Sequence, residues 1–79
     1  MLQIYTDGGS KGNPGPAAIG VVYFLNGTEI DTYREDIGNG TNNEAEYTAL
    51  IRAFERLLVG TKIPASNYKK VEVLSDSRL

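Results

Sequence analysis

The sequence predicts an α/β fold: an antiparallel meander of three strands, then one helix, then a last strand that returns parallel to the first. Three observations carry that expectation. Two runs rich in apolar and β-branched residues flank an Asn26-Gly27 pair, the hydrophobic period becomes helical at Thr41, and the short apolar run VEVLS follows the helical segment. A helix between two strands is the usual crossover that brings the second strand back in the parallel sense.

The elements follow in order. LQIYT (residues 2–6) reads as the first strand, ended by Asp7-Gly8-Gly9. AAIGVVYFL (17–25) is nearly all apolar and TEIDTYREDI (28–37) alternates more loosely, with the Asn-Gly hairpin signal between them. Gly38-Asn39-Gly40 reads as a loop. From Thr41 to about Val59, residues Ala45, Ala49, Leu50, Ala53, Phe54, Leu57 and Leu58 recur at spacings of three and four, and Gly60 is a natural stop. Residues 60–70 read as a connection and VEVLS (71–75) as a strand ended by Asp76. A single helix covers one side of such a sheet, so the other face or the last strand's edge is expected to lie bare.

Composition narrows the chemistry. At 79 residues the chain allows one domain with a small core, burying roughly 60–65% of its unfolded surface. There is no Cys and no His, which excludes disulfides, thiolate ligands and imidazole catalysis and leaves carboxylates, hydroxyls, Lys, Arg and Tyr. Residues 1–6 are too short and polar for a signal peptide and no apolar run reaches membrane-spanning length, so a cytoplasmic protein with no membrane partner is expected. The net charge of −2 does not advertise a nucleic-acid binder, yet a site that holds cations is itself acidic.

Two acids in TNNEAEY separate by position. Thr41 and Glu44 have the spacing of a capping box, in which each side chain satisfies the other's backbone amide, and Glu44 continues into a polar stripe with Thr48, Arg52 and Glu55. Glu46 shares its side of the helix with Ala49, Leu50, Ala53 and Leu57, where a charge costs free energy unless paired or bound to metal. A Glu in a frayed first turn, favoured by the helix dipole, is the competing reading. Asp7 opens the pliable stretch GGSKGNPGP, which reads either as a plain turn or as a loop whose backbone approaches a ligand. With Asp76 ending the last strand, three acids point toward an all-oxygen site of the kind Mg²⁺ prefers. The Ser10-Lys11-Gly12 order is not that of a P-loop, and the Asp7 loop lacks the oxygen ligands of an EF-hand. Lys62, Lys69 and Lys70 fit a solvated loop better than a phosphate contact.

In DGGSKGNPGP, TNNEAEY and LSDSRL, taken together and in this order, the sequence resembles the ribonuclease H type 1 family. The resemblance implies a ribonuclease H-like mixed sheet and endonucleolytic cleavage of the RNA strand of RNA/DNA hybrids with two divalent ions, Mg²⁺ or Mn²⁺. It implies that Asp7, Glu46 and Asp76 are the catalytic, metal-binding acids. It implies further that Gly8, Ser10, Gly12, Asn13, Asn42 and Asn43 contact the hybrid, several of them at RNA 2′-hydroxyls, which distinguish RNA from DNA. Arg78 stands where the family often has Gln, which favours a phosphate contact over a base-edge contact. Set against the family, residues 1–79 correspond to a partial domain without the later helices, the final strand, the fourth acid and the loop His of many members. The alternative is therefore a catalytically incomplete half-domain that binds nucleic acid or self-associates, and a homo-oligomer is expected to cover the bare sheet around Val71 to Leu79.

Overall fold

The computed structural model describes residues 1–59 and 70–75. Its elements are β1 (Leu2–Ser10), β2 (Gly15–Leu25), β3 (Thr28–Gly40), α1 (Asn42–Val59) and β4 (Val71–Ser75). They form one sheet in the order β3-β2-β1-β4, with β1–β2 and β2–β3 antiparallel and β1–β4 parallel. This is the mixed sheet that the element order predicts. The β2–β3 hairpin turns at Asn26 and Gly27, both with positive φ (51° and 85°), as a two-residue turn of the twist-matched type requires.

Three strands run further than their sequences suggest, β2 by starting at Gly15. β1 continues through Asp7-Gly8-Gly9 to Ser10, because these residues pair in register with Gly20, Ile19, Ala18 and Ala17 of β2. Asp7 therefore sits inside the strand and does not end it. β3 likewise absorbs Gly38-Asn39-Gly40, with register shifts at Ala17/Ala18 and Tyr23/Phe24 marking where extra residues are accommodated. Cross-strand pairing here outweighs the weak strand propensity of Gly and Asn.

The helix packs on one sheet face through a file of small residues. Ala45, Ala49 and Ala53 are fully buried, against Ala17 and Ile19 near the helix start and against Leu2, Ile4, Val21 and Tyr23 further along. Tyr23 is buried with its O–H donating 2.8 Å to the Ala53 carbonyl, and that burial raises its pKa. Phe54 and Leu58, expected on the core stripe, instead face solvent at 44% and 86% exposure, as do Tyr47 and Ile51. The helix is close enough to the sheet for alanines to fill the gap, so the larger apolar residues occupy the opposite side.

The polar arc of α1 faces β3. Arg52 bridges Glu35 (2.9 Å) and Glu55 (3.0 Å), and Arg56 reaches Asp31 (3.2 Å) while lying 4.3 Å over the Tyr33 ring. Glu35 also accepts a 2.7 Å bond from the Tyr33 hydroxyl, and that bond, with Arg52, holds its pKa below the ordinary value. The same bond pushes the Tyr33 pKa up. Thr41 and Glu44 form the capping box as predicted: Thr41 N donates to Glu44 Oε1 (2.8 Å) and Glu44 N to Thr41 Oγ1 (3.1 Å).

No described element covers the sheet face away from α1, where Tyr5 is 42% exposed and stacks edge-on against Phe24 at 5.4 Å. Among the described residues no helix is long and apolar enough to cross a membrane.

Candidate active site and nucleic-acid interface

The site is built around a close approach of backbone to backbone. Gly8 lies beneath the first turn of α1: a β-carbon placed on it would sit 2.5 Å from the Ala45 carbonyl carbon and oxygen and 2.9 Å from Glu46 N. Only glycine permits that contact. It joins the strand carrying Asp7 to the turn carrying Glu46, so each acid is one residue from the contact. Glu46 is half-buried and engaged, and Asp7 is exposed. Thr6, the neighbour of Asp7, is buried under the helix, so alternation along β1 turns Asp7 to the outer face. In the described residues β4 pairs with β1 up to Thr6–Ser75, which leaves the β1 edge beside Asp7 and Gly8 without a described partner strand.

Asp76 and Arg78 lie outside the described residues, as do Gly60, Lys62 and Lys69. Among the described residues no three acidic or other metal-ligating side chains come together. The Gly8 contact brings together the backbones that carry Asp7 and Glu46, and both side chains offer carboxylate oxygen only, a donor set matched to a hard divalent cation.

The loop residues are clasped to the helix start. Asn42 Oδ1 accepts from Ser10 N (2.9 Å) and Ser10 Oγ (3.1 Å), and Asn42 N donates to Asn13 Oδ1 (2.9 Å). Ser10 Oγ also contacts the Gly12 carbonyl oxygen, Lys11 N donates to the Pro16 carbonyl at 2.8 Å, and the Asn13–Pro14 peptide is cis. Asn13 thus supplies a first-turn amide of α1 with an acceptor from another segment, adding to the Thr41 cap. Gly8, Ser10, Gly12, Asn13 and Asn42 gather at this end of the sheet, and Asn43 is exposed beside them. The sequence names these residues through resemblance alone. Their mutual bonding depends on how β1 and α1 dock, which no local pattern encodes.

A four-stranded mixed sheet in the order 3-2-1-4, crossed by one helix whose first turn rests on an acid-bearing strand, defines a ribonuclease H-like fold. The sequence model of the family described as RNase H matches residues 1–79, and the chain belongs to that family. It is 52% identical over 55 residues to ribonuclease HI of Halobacterium salinarum, covering 68% of this chain and 28% of that protein. It is 43% identical over 63 residues to ribonuclease H of Hyphomonas neptunium, covering 80% of this chain and 41% of that one. Among solved structures, LC11-RNase H1 in complex with an RNA/DNA hybrid superposes with a TM-score of 0.82 at 48% identity, over 98% of this chain and 55% of that chain. RNase H1 of Halobacterium salinarum gives 0.78 at 39% identity, over 98% and 55%. The chain thus spans well under half the length of these curated relatives and about half that of the solved structures. Ribonucleases H generally use divalent metal ions.

Proposed function

We propose that this chain is the N-terminal part of a ribonuclease H domain that hydrolyses the RNA strand of RNA/DNA hybrids with Mg²⁺ or Mn²⁺. The observation that carries the reading is the close approach of Gly8 to Ala45, which joins the strand that carries Asp7 to the helix turn that carries Glu46. Similarity to a protein solved with an RNA/DNA hybrid supports the substrate class.

In this reading Asp7, Glu46 and Asp76 hold the metal. Asp76 is the acid that follows Ser75 in the sequence, and Ser75 is the residue paired with Thr6, the neighbour of Asp7. The chemistry that divalent ions supply when bound is activation of a water and neutralisation of charge at the phosphate. The carboxylates orient the reaction and fix its position at the sheet's end. Ser10, Gly12, Asn13, Asn42 and Asn43 present short donors and acceptors to the RNA minor groove, and the Asn42 clasp holds them in place before substrate arrives. Arg78 adds a phosphate contact.

A second reading has its own observation. Tyr47, Ile51, Phe54 and Leu58 form an exposed apolar file at helical spacing. A half-domain with that surface would act only after association, with homodimerisation the form expected here. The test of both is direct. Purified chain is assayed for Mg²⁺-dependent cleavage of a labelled RNA/DNA hybrid and, by light scattering, for its mass. Cleavage that Asp7→Asn and Glu46→Gln abolish without lowering the melting temperature supports the enzyme. Hybrid binding without cleavage, by a chain of dimeric mass, supports the half-domain. A chain that neither cleaves nor binds the hybrid overturns both.

A further inference from the structure

Asp7 has two neighbours in a straight row across the sheet. Its partner on β2 is Gly20, and Gly20 is partnered on its other side by Arg34 of β3. The residues adjoining them in chain order, Thr6, Val21 and Tyr33, are the ones packed toward α1, with Thr6 and Val21 buried and Tyr33 against the core. Alternation therefore places Asp7, Gly20 and Arg34 together on the uncovered face. Two strand spacings separate the outer members, so their backbones are about 9.5 Å apart. Between them the floor is open, for a β-carbon on Gly20 would have no atom within 4 Å.

Arg34 differs from the other arginines among the described residues. Arg52 and Arg56 are both committed to acids, at 2.9–3.2 Å, and tie α1 to β3. Arg34 is exposed and, among the described residues, takes part in no ion pair or hydrogen bond. Its neighbours on the same face are Thr32 and Asp36, and Asp36 lies one row further along, opposite Ala18. A face that carries Asp7 and Asp36 repels a polyanion unless a cation offsets them. The guanidinium is permanently charged and matches a phosphate with paired N–H groups.

We propose that Arg34 is a phosphate-binding residue of the nucleic-acid interface, holding a backbone phosphate of the hybrid on the β3 side of a trough whose floor is Gly20 and whose far wall is Asp7. The inference rests on the function proposed above and adds a contact to it. The strand that presents its reacting phosphate at Asp7 continues across Gly20, and Arg34 fixes the neighbouring phosphate. Because Arg34 is exposed and makes no hydrogen bond or ion pair among the described residues, its removal is expected to leave the fold's stability unchanged and to act on binding.

The experiment is a fluorescence-anisotropy titration of a labelled RNA/DNA hybrid with the purified chain, without divalent ion, over a range of KCl concentrations. Arg34→Gln is expected to weaken binding and to make the dependence of log K on log salt shallower by about 0.7–0.9, the contribution of one phosphate contact. Arg34→Lys keeps the charge and is expected to restore the slope while recovering only part of the affinity. The melting temperatures of both variants stay at the wild-type value. Unchanged affinity and slope for Arg34→Gln, with wild type binding normally, overturns the inference and leaves the proposed function standing. A fall in melting temperature for Arg34→Gln assigns the residue to structure and also overturns it. No hybrid binding by wild type removes the proposed function and this contact with it.

Discussion

Gly8 is where fold and site meet, and substituting it measures that junction. In Gly8→Ala the new methyl group would lie 2.5 Å from the Ala45 carbonyl carbon and oxygen, roughly 0.9 Å inside the 3.4 Å at which ordinary contact begins. The obstructing atoms are helix backbone, so no rotamer change relieves the clash. The first turn of α1 must lift, and Ala45 and Ala49 lose contact with Ala17 and Ile19 as it does. Overpacking of this kind costs about 1–3 kcal/mol, and the lower entropy of the unfolded Ala chain offsets about 0.4–1 kcal/mol of that. For a chain of this size the melting temperature should fall by roughly 5–15 °C. Gly20→Ala provides the contrast: it lies in a strand with no atom within 4 Å of the new carbon, so the entropy gain stands alone and the melting temperature should rise by a few degrees. Thermal melts followed by far-UV circular dichroism decide it. A Gly8→Ala chain that melts at or above wild type, or the two variants shifting in the same direction, would refute the close-approach reasoning.

Two further outcomes are expected. Thr41→Ala and Glu44→Ala each remove half of the capping box and should cost about 0.5–2 kcal/mol in urea unfolding, whereas Glu44→Gln should stay near wild type because Gln serves the same amide. The Tyr33–Glu35–Arg52 cluster should shape both limbs of stability against pH. Glu35 has its folded pKa lowered, so its contribution is present above its ordinary value of 4.5 and is lost as pH falls through the lower folded value. Tyr33 has its folded pKa raised, so its contribution is present below 10.0 and is lost as pH rises through the higher folded value. In melts from pH 2 to 11, Glu35→Gln should flatten the acidic limb and Tyr33→Phe the alkaline one. Limbs unchanged in these variants would show that other groups control them.

What the sequence disclosed was what local chemistry determines. Asn26-Gly27 forces the hairpin, Thr41 and Glu44 cap the helix, and the strand-helix-strand order leaves β4 little choice but parallel pairing. Strand ends were not legible, because Gly8-Gly9 and Gly38-Asn39-Gly40 join strands only through partners on β2. The helix offered two apolar files at the same period, and which one is buried depends on how near the helix comes to the sheet. Ala45, Ala49 and Ala53 won because small side chains allow the Gly8 contact, which put Phe54 and Leu58 outside. Of the site, the acids Asp7 and Glu46 were readable from the sequence, and the backbone contact of Gly8 with Ala45 that joins their two elements was not. Arg34 sits in an alternating strand that marks its face, but its alignment with Gly20 and Asp7 needs the three-strand register.

The pairing of β1 with β4 also bears on how the molecule assembles. β2 and β3 meet through a two-residue turn, while Gln3 and Glu72, joined by a 2.9 Å side-chain bond, are 69 positions apart in the chain. Closing so long a loop carries an entropic penalty that the hairpin avoids, and folding slows as such distant contacts come to dominate. The meander and helix are therefore expected to order first and to present the free edge of β1 as a template, on which β4 docks last. Amide hydrogens of β4 should exchange with solvent before those of β2, which is bonded on both sides. The edge of β1 beside Gln3 and Ile4 would therefore stay open until the final step of folding, and the four-stranded sheet would exist only once the rest of the fold is complete.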